Sequence, residues 1–176
     1  MPFLAEGVCA TDAMPSLKLR QCPHCRRSGN LNAHGYLRGY GEGNSNSAIR
    51  ARRIYCSNRG RRIGCGKTHS YFHAQVIPRL SLTAKTLWTF LSFVLSGFSR
   101  RSAHQTSHAP GTPQRIWARC LKVQGLLRRN LCLLAQPPPA VSATPFLQVV
   151  RHLMDAFPNS PCPVSAYQSA FQIPFL

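Results

Sequence analysis

An α+β chain is predicted, with a small β module ahead of an α-helical one. Three observations predict it. Two cysteine pairs, Cys22/Cys25 and Cys56/Cys65, flank strand-like runs. The turn-rich segment Gly41-Glu42-Gly43-Asn44-Ser45-Asn46 divides those runs as a long-tipped hairpin would. From Ala84 onward, apolar residues recur at helical instead of alternating spacing.

Residues 1–20 read as a disordered leader, and the β module occupies residues 21–78. Cys22-Pro23-His24-Cys25 is a knuckle, a tight turn that points two thiolates at one ion. Leu31–Tyr40 and Ala48–Tyr55 form the hairpin, and Thr68–Val76 supplies a third strand before Pro78. Cys56 and Cys65 enclose eight residues, Ser57 to Gly64, against the usual two to four or so of a second knuckle. Asn58, Gly60 and Gly64 allow that longer segment to fold into a returning loop. Knuckle, hairpin, second thiol pair and last strand together describe a zinc ribbon. The ion is structural Zn2+, because four thiolates leave no position open for water. His69 and His73 lie close enough in sequence to replace Cys56 or Cys65 as a ligand. Cys9, Cys120, Cys132 and Cys162 lack paired spacing, and Cys120 and Cys132 read as small buried residues of a helix.

Residues 81–135 read as helices. Ser81 caps the first, which aligns Ala84, Leu87, Trp88, Leu91, Val94 and Leu95 and ends at Gly97. A short helix follows Ser99, and Pro110-Gly111 turns the chain. Thr112-Pro113 then starts a helix over 113–134, with Ile116, Cys120, Val123 and Leu127 on one face. A short helix, a Gly turn and a longer basic helix stand in helix-turn-helix order. Residues 136–176 comprise a polyproline spacer at Pro137–Pro139, a short helix started by Thr144-Pro145, and a Pro- and Ser-containing tail that is either disordered or docked.

Charge indicates the partner. The 176 residues carry 22 Lys and Arg against four acids, a net charge of +18. Such a chain repels itself until a polyanion neutralises it, as nucleic acid does with release of counterions. Apolar residues at 44%, arranged periodically, are too many for a disordered basic tail. Arg50, Arg52, Arg53, Arg59, Arg61 and Arg62 are the expected phosphate contacts. Gln114, Arg115, Arg119 and Lys122 face away from the apolar stripe of the last helix in the unit. There Arg reads guanine and Gln reads adenine in the major groove of double-stranded DNA. The most apolar run, Leu87–Leu95, is too short to span a bilayer, and Glu6 and Asp12 occupy the place of a signal peptide's charged and apolar regions. The chain therefore reads as cytoplasmic and nucleoid-associated, in a compartment that keeps thiols reduced for metal.

The pattern Cys22-Pro-His-Cys25, Gly35-Tyr-Leu-Arg-Gly-Tyr40, Arg53-Ile-Tyr-Cys56 and Gly64-Cys65-Gly-Lys-Thr68 resembles the zinc-ribbon heads of bacterial transposases and insertion-sequence proteins. Leu95-Ser-Gly-Phe-Ser-Arg-Arg-Ser-Ala103 and Pro113-Gln-Arg-Ile-Trp117 look like the helix-turn-helix that often follows such heads. The resemblance covers about residues 20–130. It implies Cys22, Cys25, Cys56 and Cys65 as zinc ligands, with Gln114, Arg115 and Arg119 facing DNA. It also implies a transposase or another mobile-element protein as partner.

The chain departs from a whole transposase in its acids. Glu6, Asp12, Glu42 and Asp155 are too scattered for the carboxylate cluster that holds two metal ions, and paired histidines with one residue between them are absent. The expected function is non-catalytic, sequence-specific DNA binding, as an accessory factor or regulator of a mobile element. Two other readings use the same residues. In an RNA-binding or ribosome-associated zinc ribbon, the hairpin arginines dominate. In a protein-interaction module, the aromatic tail and last helices bind a partner.

Overall fold

The computed structural model describes residues 3–4, 14–39, 48–139 and 144–176. The class is α+β, and the chain divides into two compact units, Met1–His73 and Ala74–Leu176.

The first unit is built on a four-stranded sheet in the order β1-β4-β3-β2. Strands β2 (Leu31–Gly39) and β3 (Ala48–Cys56) pair antiparallel, and β4 (Thr68–His73) adds antiparallel to β3. The proposed hairpin tip lies outside the described residues. Strand β4 ends at His73, short of Val76, which instead bridges to Thr83.

The leader expected to be disordered does contribute structure. β1 (Phe3–Leu4) pairs parallel with β4, and helix α1 (Met14–Leu19) precedes the first knuckle. The reason is the small size of the core. Leu4, Leu17, Cys22, Leu31, Ile54, Cys56 and Tyr71 form it, so two of its buried members come from the first twenty residues. A two-residue strand and a six-residue helix are too short to show a period in sequence.

The second unit is helical: α2 (Ala84–Leu95), α3 (Arg100–Ser107), α4 (Pro113–Leu131), α5 (Pro145–Ala156) and α6 (Pro163–Phe171). Thr83, not Ser81, caps α2, accepting a hydrogen bond from Thr86 N at 3.1 Å. Ser99 and Thr112 cap α3 and α4 through their hydroxyls as expected. α4 stops at Leu131, and Cys132, expected to be buried, is exposed just beyond it, whereas Cys120 is buried.

Residues 136–176 share the core of the preceding helices. Phe146, Val150, Leu153, Val164, Tyr167 and Phe175 pack into one apolar cluster with Leu87, Phe90, Trp117 and Leu127. The tail is therefore docked. Gln168, fully buried on α6, fastens it by donating to Ala74 O at 2.6 Å and Val76 O at 3.1 Å while accepting from Phe175 N at 3.0 Å. Among the described residues, no helix is long and apolar enough to cross a membrane.

Candidate metal centre

The four predicted cysteines converge. The Sγ atoms of Cys22, Cys25, Cys56 and Cys65 all lie within 4.8 Å of one another. An ion with metal–sulfur bonds of about 2.3 Å holds tetrahedral sulfurs about 3.8 Å apart. Cys22 and Cys65 are 3.7 Å apart and Cys25 and Cys56 are 3.8 Å apart, so two of the six sulfur–sulfur separations match the edge of such a tetrahedron. The residues fit a metal ion, and all four ligand positions are filled by sulfur.

Both cysteine pairs use the same backbone frame. In the first, Arg26 N donates to Cys22 O at 2.8 Å, and Cys22 N donates to Arg27 O at 2.9 Å. In the second, Gly66 N donates to Cys56 O at 2.9 Å, and Cys56 N donates to Lys67 O at 2.9 Å. The residue after the second cysteine is left-handed in each, Arg26 at φ 58° and Gly66 at φ 72°. The wide spacing of Cys56 and Cys65 is therefore a knuckle with an insertion. Gly64 N donates to Ser57 O at 2.9 Å, which closes the knuckle across its apex. Asn58–Ile63 bulge out from that closure. Sequence spacing alone points to a loose loop, because the Ser57–Gly64 closure is a tertiary contact.

The environment of each thiol differs. The Cys25 thiol is lowered to about 7, chiefly by the hydrogen bond from the Arg27 backbone. Burial pushes the Cys56 thiol up to about 12. Cys65 N–H lies 3.4 Å from Cys56 Sγ, a donor aimed at the sulfur.

Neither histidine replaces a cysteine. His69 stands beside the cluster, with Nε2 3.3 Å from Cys22 Sγ, where it can orient the sulfur by donating to it. Burial, followed by the charges of His24 and Lys67, lowers the His69 pKa. His73 lies at the end of β4 outside the four-sulfur group, with its pKa lowered by burial.

The arginines divide into two sets. Arg53, Arg59, Arg61 and Arg62 are exposed, as phosphate contacts require. Arg52 is not available for that role. It is only 8% exposed, and its guanidinium lies over the Tyr36 ring at 5.2 Å with Nη1 3.5 Å from the Tyr36 hydroxyl. Its side chain falls on the same face of β3 as Ile54 and Cys56, which pack into the core. Arg50 is partly buried, and desolvation lowers its pKa. In the insertion, Arg62 Nη1 donates to Asn32 Oδ1 at 2.6 Å, and Tyr55 donates to Asn58 Oδ1 at 2.7 Å, so the loop is tied back to the sheet.

In the helical unit, Gln114, Arg115, Arg119 and Lys122 are all exposed on α4, opposite buried Ile116, Trp117 and Cys120. Arg100 at the start of α3 lies 5.5 Å over the Trp117 ring. His104 Nε2 is 2.9 Å from Gly111 O and ties α3 to the turn.

Comparison with protein-family models, curated proteins and solved structures finds no match to this chain.

The knuckle geometry makes a prediction. A Cβ at Gly64 would lie 2.2 Å from Ser57 O and 2.8 Å from Cys56 Sγ. Gly64→Ala therefore displaces a ligand, and overpacking of this kind costs about 1–3 kcal/mol. Metal affinity should fall roughly tenfold or more, as read by competition with a chromophoric chelator. Deleting residues 58–63 should leave Cys-Ser-Gly-Cys, an ordinary knuckle that binds one ion per chain as tightly as the intact protein. A deletion variant that cannot hold metal would show that the loop belongs to the site.

Proposed function

We propose that this protein is a non-catalytic, sequence-specific DNA-binding protein of mobile-element type, an accessory factor or regulator that works beside a transposase. In this reading the first unit is a ribbon stapled by structural Zn2+, and α3, the turn at His108–Thr112 and α4 form a helix-turn-helix.

The observation that carries it is the polarity of α4. Its first ten residues bury Ile116, Trp117 and Cys120 and expose Gln114, Arg115 and Arg119, with Lys122 one turn on. Exposed Gln114 and Arg115 at the N-terminal end of a helix anchored on its other side support this reading, because a recognition helix needs that arrangement. Thr112 accepts from Arg115 N at 3.4 Å, which sets where the helix begins and so where Gln114 and Arg115 project.

Four thiolates at tetrahedral spacing suit Zn2+, which has no geometric preference of its own and binds sulfur well. The exposed Arg53, Arg59, Arg61 and Arg62 supply sequence-independent attraction to phosphate.

Selection from random duplexes at physiological salt tests this reading. Arg115→Ala should relax preference at one base position by about 1–3 kcal/mol while nonspecific affinity stays within about twofold. Equal loss across unrelated duplexes would make α4 a merely basic helix and favour the RNA-binding alternative.

A further inference from the structure

Strand β2 is irregular at one place. Ala33 pairs with Ile54 and Tyr36 with Arg52, so His34 and Gly35 together oppose the single residue Arg53. This is a β-bulge, and Gly35 adopts φ 97°, a left-handed conformation that side chains rarely take. A Cβ on Gly35 would meet nothing within 4 Å, so the glycine is needed for its backbone angle and not for space.

Just before the bulged glycine, His34 falls on the same strand face as Asn32, the partner of Tyr55, and its exposed ring lies beside Tyr55. The two ring centroids are 5.8 Å apart at an interplanar angle of 42°. Tyr55 is half-buried and held at its hydroxyl by Asn58 of the insertion, at 2.7 Å. Arg53 lies two residues before Tyr55 on the same face and is exposed, as is Thr68, the β4 partner of Tyr55. Arg62 reaches the edge of the same surface through Asn32, which pairs with Tyr55. The result is an open shelf of two rings bordered by guanidinium groups. The described residues of this unit include no carboxylate side chain.

Exposed ring faces bordered by guanidinium groups complement unpaired bases on a phosphate backbone. In a duplex, the base faces are covered by stacking and cannot reach Tyr55 or His34. We infer that the His34–Tyr55 shelf, with Arg53 and Arg62, is a binding site for single-stranded DNA, separate from the duplex-reading helix α4. The choice of DNA over RNA rests on the function proposed above, whereas the stacking of unpaired bases does not.

The test uses the full-length, metal-loaded protein. A fluorescein-labelled dT12 strand, a rU12 strand and a mixed-sequence duplex serve as probes in fluorescence anisotropy at physiological salt. Tyr55→Ala should lower dT12 affinity about tenfold, the effect of losing one stacked base, and leave duplex affinity within about twofold. Tyr55→Phe keeps the ring and should bind dT12 nearly as well as the native chain. If Tyr55→Ala loses its metal, His34→Ala, at an exposed position, decides by the same comparison. Equal losses on strand and duplex, or no loss on the strand, would overturn the shelf. Tighter binding of rU12 than dT12, lost on Tyr55→Ala, would overturn the assignment to DNA. Arg115→Ala should not alter dT12 binding, so failure of the α4 reading is seen separately.

Discussion

Replacing Cys22 and Cys25 together by Ser will abolish metal binding and unfold the first unit, with the helical unit still folded. The core of the first unit explains the size of this effect. It holds seven buried residues, two of which, Cys22 and Cys56, belong to the four-cysteine group that can hold a metal ion. Units this small rarely reach independent stability from apolar burial alone. A structural zinc in finger peptides contributes about 10–16 kcal/mol at neutral pH, more than the whole stability of a typical domain. Metal analysis should therefore fall from one ion per chain to none. Amide exchange over residues 48–73 should lose protection, while the helical signal in circular dichroism persists. A folded, metal-free first unit in this variant would remove the metal from the account of its stability.

Acid should reach the same end point reversibly. In the metal-free protein Cys56 is raised to about 12 by burial, so near neutral pH its thiol carries a proton that metal uptake must displace. The bound state holds fewer protons than the free state, so metal affinity rises with pH and falls on acidification.

Ile116→Asp should be the most damaging single change in the helical unit. Ile116 is 6% exposed within the cluster that joins α2, α4, α5 and α6. An aspartate there loses an apolar side chain and buries a carboxylate with no compensating partner, at a cost of about 3–5 kcal/mol or more. For a unit near a hundred residues this corresponds to a fall of roughly 15 °C or more in Tm, followed by circular dichroism. The neighbouring Arg115→Ala, at an exposed position, should change Tm by no more than a few degrees. Metal content should be unchanged in both. Comparable destabilisation by the two substitutions would mean that α4 does not present the faces described.

How far the sequence speaks for itself differs between the two units. In the helical unit its signals are local. Thr112-Pro113 and Thr144-Pro145 start α4 and α5, and of the row Ile116, Cys120, Val123 and Leu127 all are buried but Val123, which is partly buried against the same core. The α2 cap falls two residues later than expected because Thr83, instead of Ser81, has a hydroxyl within reach of Thr86 N. Docking of α6 had no comparable local signal. Gln168 meets its acceptor on Ala74 across 94 residues of chain, and only the folded core brings the two together.

In the β unit, residue type and charge by themselves picked out the four cysteines that converge, the strands β2, β3 and β4 and the basic character of the chain. A cysteine pair at knuckle spacing, a second pair downstream and a marked excess of arginine over acid have few other uses. Tertiary structure decided the rest. It drew Leu4 and Leu17 into a core too small to do without them, and it turned the Arg52 side chain inward over Tyr36. It closed Ser57 on Gly64, making an eight-residue gap into a second knuckle with an exposed arginine loop. It also paired β2 with β3 in the register that brings His34 beside Tyr55. Apart from the Ser57–Gly64 closure, whose returning loop Asn58, Gly60 and Gly64 allow, each of these depends on packing between residues distant in the chain. Periodicity and spacing report only on neighbours within a turn or a strand, so these distant contacts are not legible in them.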